Sequence, residues 1–210
     1  MNDNETQYLT TGEDIQKLLS KCDTCYSITN NGNYVVFHTK LPQIILPLNK
    51  VKIGLIVNTA STERVLGHWF TLNLYLSKGP KNRYCYGCDG LNQVRKEPHV
   101  LKNIKIFCKN NNVTFSWYPI QLQRVRSLKC GYIAIWFIYQ LSILSLRSFI
   151  ELRKILSRHS IHFNEKRVLT GVKKHFQITS LWFNQKPTWQ MVLGLIWLSG
   201  HLVKKDPWRA

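Results

Sequence analysis

Four residues that together support hydrolysis by a thiol occur in the order His68, Asp89, Gln123 and Cys130. Peptide hydrolysis by a cysteine requires a thiolate, an imidazole that activates it and carries its proton, and a carboxylate or amide that orients the imidazole. A donor must also stabilise the oxyanion of the tetrahedral intermediate. The residue types predict Cys130 as nucleophile, His68 as base and then acid, and Asp89 as the orienting carboxylate. Gln123 and the Cys130 backbone amide are the predicted oxyanion donors.

Cys130 lies where the polar segment 123–129 meets the apolar segment 133–139. A helix that begins at this point directs its amide dipoles toward the thiol, and these dipoles favour the thiolate. A cysteine in such a position is, by itself, more often an inert core residue. The prediction of a nucleophile therefore depends on all four residues together.

Several of these assignments leave alternatives open. Gln121 is a second candidate for the oxyanion donor, although the spacing favours Gln123. Asp89 precedes a glycine and can instead serve as a turn former. Trp69 either shapes the site beside His68 or packs in the core. No function is assigned to the histidines that lack comparable partners, which are His38, His99, His159 and His162.

Three consecutive strands are expected to bring His68 and Asp89 together. Residues 52–60, 67–76 and 83–88 are rich in apolar, β-branched and aromatic side chains, and polar turns separate them. Strands joined in this way form an antiparallel meander, in which the second strand begins at the end of the sheet where the third strand finishes. His68 starts the second strand and Asp89 follows the third, so both belong to one end of the sheet.

The remaining segments complete the prediction of an α+β fold. Helical spacing of apolar residues predicts four helices: a short one that starts at Thr11 as N-cap, and others over residues 98–112, 131–146 and 149–158. Further strands are expected over residues 34–37 and 113–118. Residues 41–47, with prolines at both ends, are expected to be extended or at a sheet edge.

Several segments resemble the adenovirus endopeptidase (adenain) family and its relatives in large DNA mobile elements, within the wider group that includes SUMO-specific proteases. The matching residues are 56–60, His68 and Trp69, Cys85 and Tyr86 with Asp89, and then Gln123, Ser127, Cys130 and Gly131. The spacing from Gln123 through Ser127 to Cys130 is adenain-like. Further along the chain, Arg158, His159, Ser160 and Phe163 resemble a helix segment near the C-terminal region of adenain. The resemblance covers residues 11–163.

The resemblance implies a papain-like cysteine proteinase fold with a central mixed or antiparallel sheet and a helix that carries the nucleophile. It implies an endopeptidase that cleaves viral or element-encoded precursor proteins during particle maturation, in the host nucleus or the virion. Asp89 replaces the glutamate of adenain, and aspartate is usual among the SUMO-specific relatives. Adenain is stimulated by DNA and by a peptide tethered through a disulfide. The tethering cysteine corresponds to Asn112 here, with Cys108 four residues earlier, so activation by a peptide tethered in this way is not expected. A role for DNA as activator is compatible with the basic chain.

The chain is strongly basic, with 29 Lys and Arg against 11 Asp and Glu and a formal net charge of +18. No acidic residue occurs between Glu97 and Glu151. This bias favours a polyanionic partner, nucleic acid before an acidic membrane surface, although a basic surface can also serve solubility alone. The loop contains three cationic residues, Arg124, Arg126 and Lys129. Their charge can serve to bind DNA, to bind an acidic substrate or to stabilise the thiolate.

The six cysteines are too few for a disulfide scaffold, and residues 1–5 have neither the basic nor the apolar region of a signal peptide. A reducing intracellular compartment is therefore expected. Cys22 with Cys25 and Cys85 with Cys88 form two Cys-x-x-Cys pairs that raise the possibility of zinc. The second pair falls in a strand, where its members should point to opposite faces, so a core or surface role is favoured over a metal site.

The expected organisation is a loose N-terminus over residues 1–10, a protease domain over 11–163, and a basic, Trp-rich tail over 164–210. The apolar run at 189–202 contains polar residues and is at the lower limit of a membrane span. A packed or interfacial helix, or a poorly folded tail, is favoured over an anchor. The chain is expected to be a monomer.

The predicted function is thus a cysteine endopeptidase that acts on a protein substrate and needs no cofactor. Two alternatives remain. One is a catalytically inactive, basic nucleic-acid-binding protein on the same fold. The other is an isopeptidase that acts on conjugates of ubiquitin-like proteins.

Overall fold

The computed structural model describes residues 12–20, 34–47, 49–61, 67–76, 82–125, 127 and 129–176. Several sequence predictions lie outside these residues. They are the N-cap at Thr11, the pair Cys22 and Cys25, the loop cation Arg126, the loose N-terminus and the tail from residue 177 onward.

A five-stranded mixed sheet forms the centre of the molecule. Its strands are adjacent in chain order: β1 (Tyr34–Phe37), β2 (Lys52–Asn58), β3 (Trp69–Leu76), β4 (Arg83–Cys88) and β5 (Thr114–Tyr118). The pairs β2–β3 and β3–β4 are antiparallel, which confirms the predicted meander. The outer strands β1 and β5 each pair in parallel with their neighbour. Every residue of β3 is buried, as expected of the central strand of a sheet covered on both faces.

Helices cover both faces of this sheet. They are α1 (Gly12–Ser20), α2 (Pro98–Asn110), α3 (Cys130–Ile143), α4 (Leu146–Leu156) and α5 (Ile161–His175), with short 3-10 helices at His38–Gln43 and Val94–Lys96. The prediction of an extended segment over residues 41–47 was wrong for its first three residues, which belong to a 3-10 helix containing Pro42. The fixed φ of proline fits a 3-10 turn as well as an extended chain, so proline spacing could not distinguish them.

Alternating side chains along the strands divide the core into two clusters. On β3, Phe70, Leu72 and Leu74 face the cluster that contains α2, whereas Trp69 and Tyr75 face the cluster that contains α3. This alternation follows from the two-residue period of a strand. The molecule is therefore a mixed α and β protein with helices on both faces of its sheet, compatible with the α+β prediction.

Polar contacts fix α3 against the sheet. The Asn73 amide on β3 donates to the Phe137 carbonyl at 3.0 Å. At the C-terminal end of α3, the Lys52 ammonium donates to the Leu144 carbonyl at 2.7 Å, where a cation also complements the helix dipole. Gly54 faces the middle of the helix, and a Cβ at that position would overlap the Ile138 side chain. These contacts determine where the first residue of α3 lies.

The predicted boundary after Phe163 falls inside α5. This helix starts after Ser160, whose hydroxyl accepts from the Phe163 amide at 3.2 Å. Val168 and Val172 of α5 are buried in the same cluster as α3. Residues 164–176 thus pack with the rest of the domain. No helix within the described residues is long and apolar enough to cross a membrane.

Candidate active site

His68 lies directly before β3, and the end of β2 holds its backbone on both sides. Its amide donates to the Thr59 hydroxyl at 2.9 Å, and its carbonyl accepts from the Thr59 amide at 3.0 Å. The preceding Gly67 approaches β2 so closely that a Cβ would clash with Asn58 Oδ1 and lie 2.7 Å from the Ala60 nitrogen. Sequence reasoning did not identify Thr59 as a support for His68, because the contact depends on strand pairing.

Asp89 follows β4 and is almost fully buried, with a relative exposure of 3%. Its Oδ1 accepts from the Leu91 amide at 2.9 Å, and its Oδ2 accepts from the Gln93 and Val94 amides at 2.5 and 2.8 Å. The carboxylate is therefore bound by the turn that follows it. The turn-forming role that the sequence left as an alternative is present together with the contact to His68.

The imidazole and the carboxylate meet at the predicted end of the sheet. His68 Nε2 lies 2.5 Å from Asp89 Oδ1. Since Nε2 is engaged in this way, Nδ1 is the ring nitrogen left to interact with a nucleophile. The carboxylate fixes the orientation of the ring.

Cys130 is the first residue of α3, and its half-buried thiol adjoins the same imidazole. The donors close enough to stabilise a thiolate at Cys130 are the His68 ring and the backbone amides of Trp69 and Gly131. The first amides of a helix have no acceptor within the helix, so they are available to a thiolate or an oxyanion. Trp69 thus contributes its backbone to the site, while its side chain packs in the core.

The charges of the three groups stabilise one another. Burial alone would lower the pKa of His68, but its hydrogen bonds to Asp89 and Cys130 and their negative charges outweigh burial and raise the pKa to about 9. Burial opposes ionisation of the thiol, yet the imidazolium and the two backbone donors lower the pKa of Cys130. Burial also opposes ionisation of Asp89, and the His68 contact and the backbone amides lower its pKa. The arrangement therefore favours a thiolate beside an imidazolium over a neutral pair.

Gln123 is buried next to Gly90, with a relative exposure of 1%. Its backbone amide donates to the Gly90 carbonyl at 2.9 Å, and its side-chain amide donates to the Ser127 carbonyl. An amide nitrogen carries two hydrogens, so one remains for an oxyanion. The Gln121 side chain instead donates to the Gln123 carbonyl at 2.9 Å, which is a contact within the loop.

A buried carboxylate that the sequence analysis did not identify holds the loop between Gln123 and Cys130. Glu165 on α5 has a relative exposure of 2%. Its Oε2 accepts from the Arg124 guanidinium at 2.6 Å, and its Oε1 accepts from the Arg124 amide at 3.3 Å. Arg124 is therefore paired with a carboxylate. The sequence predicts the neighbouring Gln123 as a site residue. No spacing pattern links Gln123 to Glu165, which lies 42 positions later, so the sequence could not identify Glu165.

Cys85 and Cys88 face opposite sides of the sheet, each buried in a different cluster. Burial raises the pKa of both thiols. Within the part of the chain that the structure describes, no three metal-ligating side chains form a group that could hold an ion. The buried His38 instead contacts the Asn103 amide at 2.9 Å, and His99 packs edge-on against it.

No protein-family model matches the chain, and no curated protein matches it either. What the chain can do is therefore inferred from the geometry of its own residues.

Proposed function

We propose that this chain is a cysteine endopeptidase of the adenain-like type on a papain-like fold. The observation that carries the proposal is the His68 ring, which contacts the buried Asp89 carboxylate on one side and the Cys130 thiol at a helix start on the other. By resemblance, its substrates are viral or mobile-element precursor proteins that are cleaved during particle maturation. The isopeptidase alternative uses the same chemistry on a different amide bond.

In the first half of the reaction the Cys130 thiolate attacks the carbonyl carbon of the scissile peptide bond. A carbon–sulfur bond forms, and the carbonyl electron pair moves to the oxygen. The Cys130 backbone amide and the second amide hydrogen of Gln123 are the donors for this oxyanion. Collapse of the intermediate breaks the carbon–nitrogen bond, and the His68 imidazolium gives its proton to the leaving amine.

In the second half, water attacks the thioester while neutral His68 accepts its proton. The carbon–sulfur bond breaks, the carboxylic product leaves, and the thiolate and imidazolium are restored. Asp89 keeps the ring in the orientation that both transfers require and stabilises its positive charge. The net reaction is one peptide bond plus one water giving one acid and one amine.

A set of internally quenched, Gly-containing peptides, together with an iodoacetamide-based probe, tests the proposal on the full chain. We expect cleavage of some peptides and labelling of Cys130 at neutral pH. Cleavage of ubiquitin-like conjugates without cleavage of any peptide would favour the isopeptidase. A folded protein that neither labels at Cys130 nor cleaves would contradict hydrolysis and favour the nucleic-acid-binding alternative.

The pH dependence of Cys130 should reveal the ion pair. Because the pKa of Cys130 is lowered, alkylation should rise through a midpoint below the ordinary thiol pKa of about 8.5. Because the pKa of His68 is raised to about 9, peptide cleavage should fall again as the pH rises through that value and the proton for the leaving amine is lost. The rise is measured as the rate of alkylation and the fall as kcat/KM. Both are followed from about pH 4 to about pH 10, which spans the range where these groups titrate. A single alkylation midpoint at the ordinary thiol value would contradict the pairing.

We also propose that nucleic acid binds the outer face of α2. Three lysines, Lys102, Lys105 and Lys109, are exposed at helical spacing on this face. α2 belongs to the cluster on the side of the sheet opposite to α3, so this binding surface is separate from Cys130. Replacing all three lysines by glutamine should reduce the slope of log affinity for duplex DNA against log salt by about 3.

The matched control replaces three exposed lysines elsewhere, Lys154, Lys166 and Lys174, and changes the net charge equally. If the slope of log affinity against log salt falls equally in the two triple variants, overall charge rather than the α2 face binds DNA. A wild-type slope near zero would remove nucleic acid as a partner.

A further inference from the structure

Glu165 lies at the start of a chain of hydrogen bonds that ends at the side-chain amide of Gln123. The carboxylate accepts from both the backbone amide and the guanidinium of Arg124. The Arg124 carbonyl accepts from the Ser127 amide at 3.1 Å. The Ser127 carbonyl in turn accepts from the Gln123 side-chain amide. The nitrogen that is proposed to bind the oxyanion is thus held by a turn whose own anchor is a carboxylate on another helix.

The other side of the loop is held by the segment after β4. The amides of Leu122 and Gln123 both donate to the Gly90 carbonyl at 2.9 Å, one residue after Asp89. This contact fixes the backbone of Gln123, but nothing in it determines which way the side-chain amide turns. The Ser127 carbonyl is the acceptor of that amide, and it belongs to the turn that Glu165 anchors.

A buried carboxylate requires hydrogen-bonded partners, because an unpaired charge in the interior is strongly unfavourable. Glu165 is 2% exposed, whereas the Arg124 side chain is 55% exposed. The acid is thus the buried and fixed member of the pair, and the arginine reaches in from the surface. This asymmetry suits an anchor for a loop better than it suits a surface ion pair, which contributes little to stability.

We propose that Glu165 is a positioning residue for the oxyanion site: through Arg124 and Ser127 it holds the Gln123 amide toward the substrate carbonyl. The inference goes beyond the four residues of the proposed protease and rests on that proposed function. Glu165 touches neither the thiol nor the imidazole in this scheme. Its loss should therefore weaken transition-state stabilisation and leave thiolate formation unchanged.

The test compares Glu165→Gln with the wild type in three measurements on the full chain. They are kcat and KM for a peptide that the wild type cleaves, inhibition by a peptide aldehyde of the same sequence, and the rate of alkylation by iodoacetamide. The thiolate adds to the carbonyl carbon of the aldehyde, and the aldehyde oxygen then occupies the oxyanion site. In alkylation the thiolate displaces iodide, and no oxyanion forms. We expect kcat to fall about 10- to 100-fold and aldehyde binding to weaken similarly, below the about 10²- to 10³-fold loss caused by removing an oxyanion donor outright. KM, the alkylation rate and the pH midpoint of alkylation should stay near wild type.

Glu151→Gln is the matched control, since it removes the same charge from an exposed pair with Lys154 on α4. It should leave all three measurements unchanged. Unchanged kcat and aldehyde binding in Glu165→Gln, or a parallel fall in alkylation, would overturn the positioning role. If Glu165→Gln does not fold, Arg124→Lys carries the test, because lysine keeps a cation for the buried carboxylate but cannot reproduce the guanidinium contact. It should show the same pattern with a smaller loss, and wild-type kcat would overturn the proposal.

A failure of the proposed function looks different. In that case the wild type itself cleaves no peptide and does not bind the aldehyde, whatever the behaviour of the variants. That outcome overturns the oxyanion role of the loop together with the protease.

Discussion

Replacement of Cys130 by alanine is expected to abolish peptide cleavage, with kcat/KM reduced on the order of 10⁴- to 10⁶-fold. The thiol is the only group in the proposed mechanism that bonds to the substrate, so no neighbouring residue can replace it. Fold and stability should change little, because the side chain is half-buried at the first turn of α3 and alanine favours helices. The measurements are peptide cleavage, labelling by the iodoacetamide probe and thermal unfolding.

Cys108→Ala is the matched control. This thiol lies on α2, on the opposite side of the sheet, and is 4% exposed. It should retain cleavage and labelling within about twofold of wild type, since it is remote from the imidazole that activates a thiol. Retained cleavage in Cys130→Ala, or loss of labelling in Cys108→Ala, would contradict Cys130 as nucleophile.

Asp89→Asn should have the second largest effect, because it changes both stability and catalysis. The carboxylate accepts from His68 and from three backbone amides, and an asparagine has a single side-chain oxygen to accept those bonds. Breaking this buried arrangement should destabilise the fold by about 3 kcal/mol. Chemical denaturation at constant pH measures this change.

The catalytic effect of Asp89→Asn has a definite direction in pH. Removal of the negative charge lowers the pKa of His68, so less imidazolium is present to stabilise the Cys130 thiolate. The alkylation midpoint should move up toward the ordinary thiol pKa of about 8.5, and kcat/KM at pH 7 should fall by on the order of 10²-fold or more. The alkaline limb of cleavage should move down from about 9.

Glu13→Gln is the control for Asp89→Asn, since it removes one exposed carboxylate from α1. It should leave the alkylation midpoint where it is in the wild type. An unchanged midpoint in Asp89→Asn would mean that Asp89 only forms the turn after β4. This turn-forming role is the alternative that its position before Gly90 also predicts.

The sequence alone determined the elements that carry the candidate site. Alternating and continuous apolar runs predicted β2, β3 and β4, because a buried strand must place apolar side chains on both faces. Antiparallel connection then brought His68 and Asp89 to one end of the sheet, and the apolar segment after Gly131 predicted the helix that begins at Cys130. These are local patterns joined by short turns, so sequence contains enough to infer them.

Only the tertiary structure decided what holds those residues in place. The hydrogen bond from the His68 amide to Thr59 depends on strand register. The salt bridge between Arg124 and Glu165 joins positions 41 residues apart. The 3-10 helix at Pro42 and the packing of residues 164–176 on α3 depend equally on distant neighbours. Periodicity reports which face of an element is buried, but it carries no information about which distant element covers that face. Residue types and spacing thus predicted which side chains meet at the candidate site, whereas the contacts that orient them arise only when separate elements pack together.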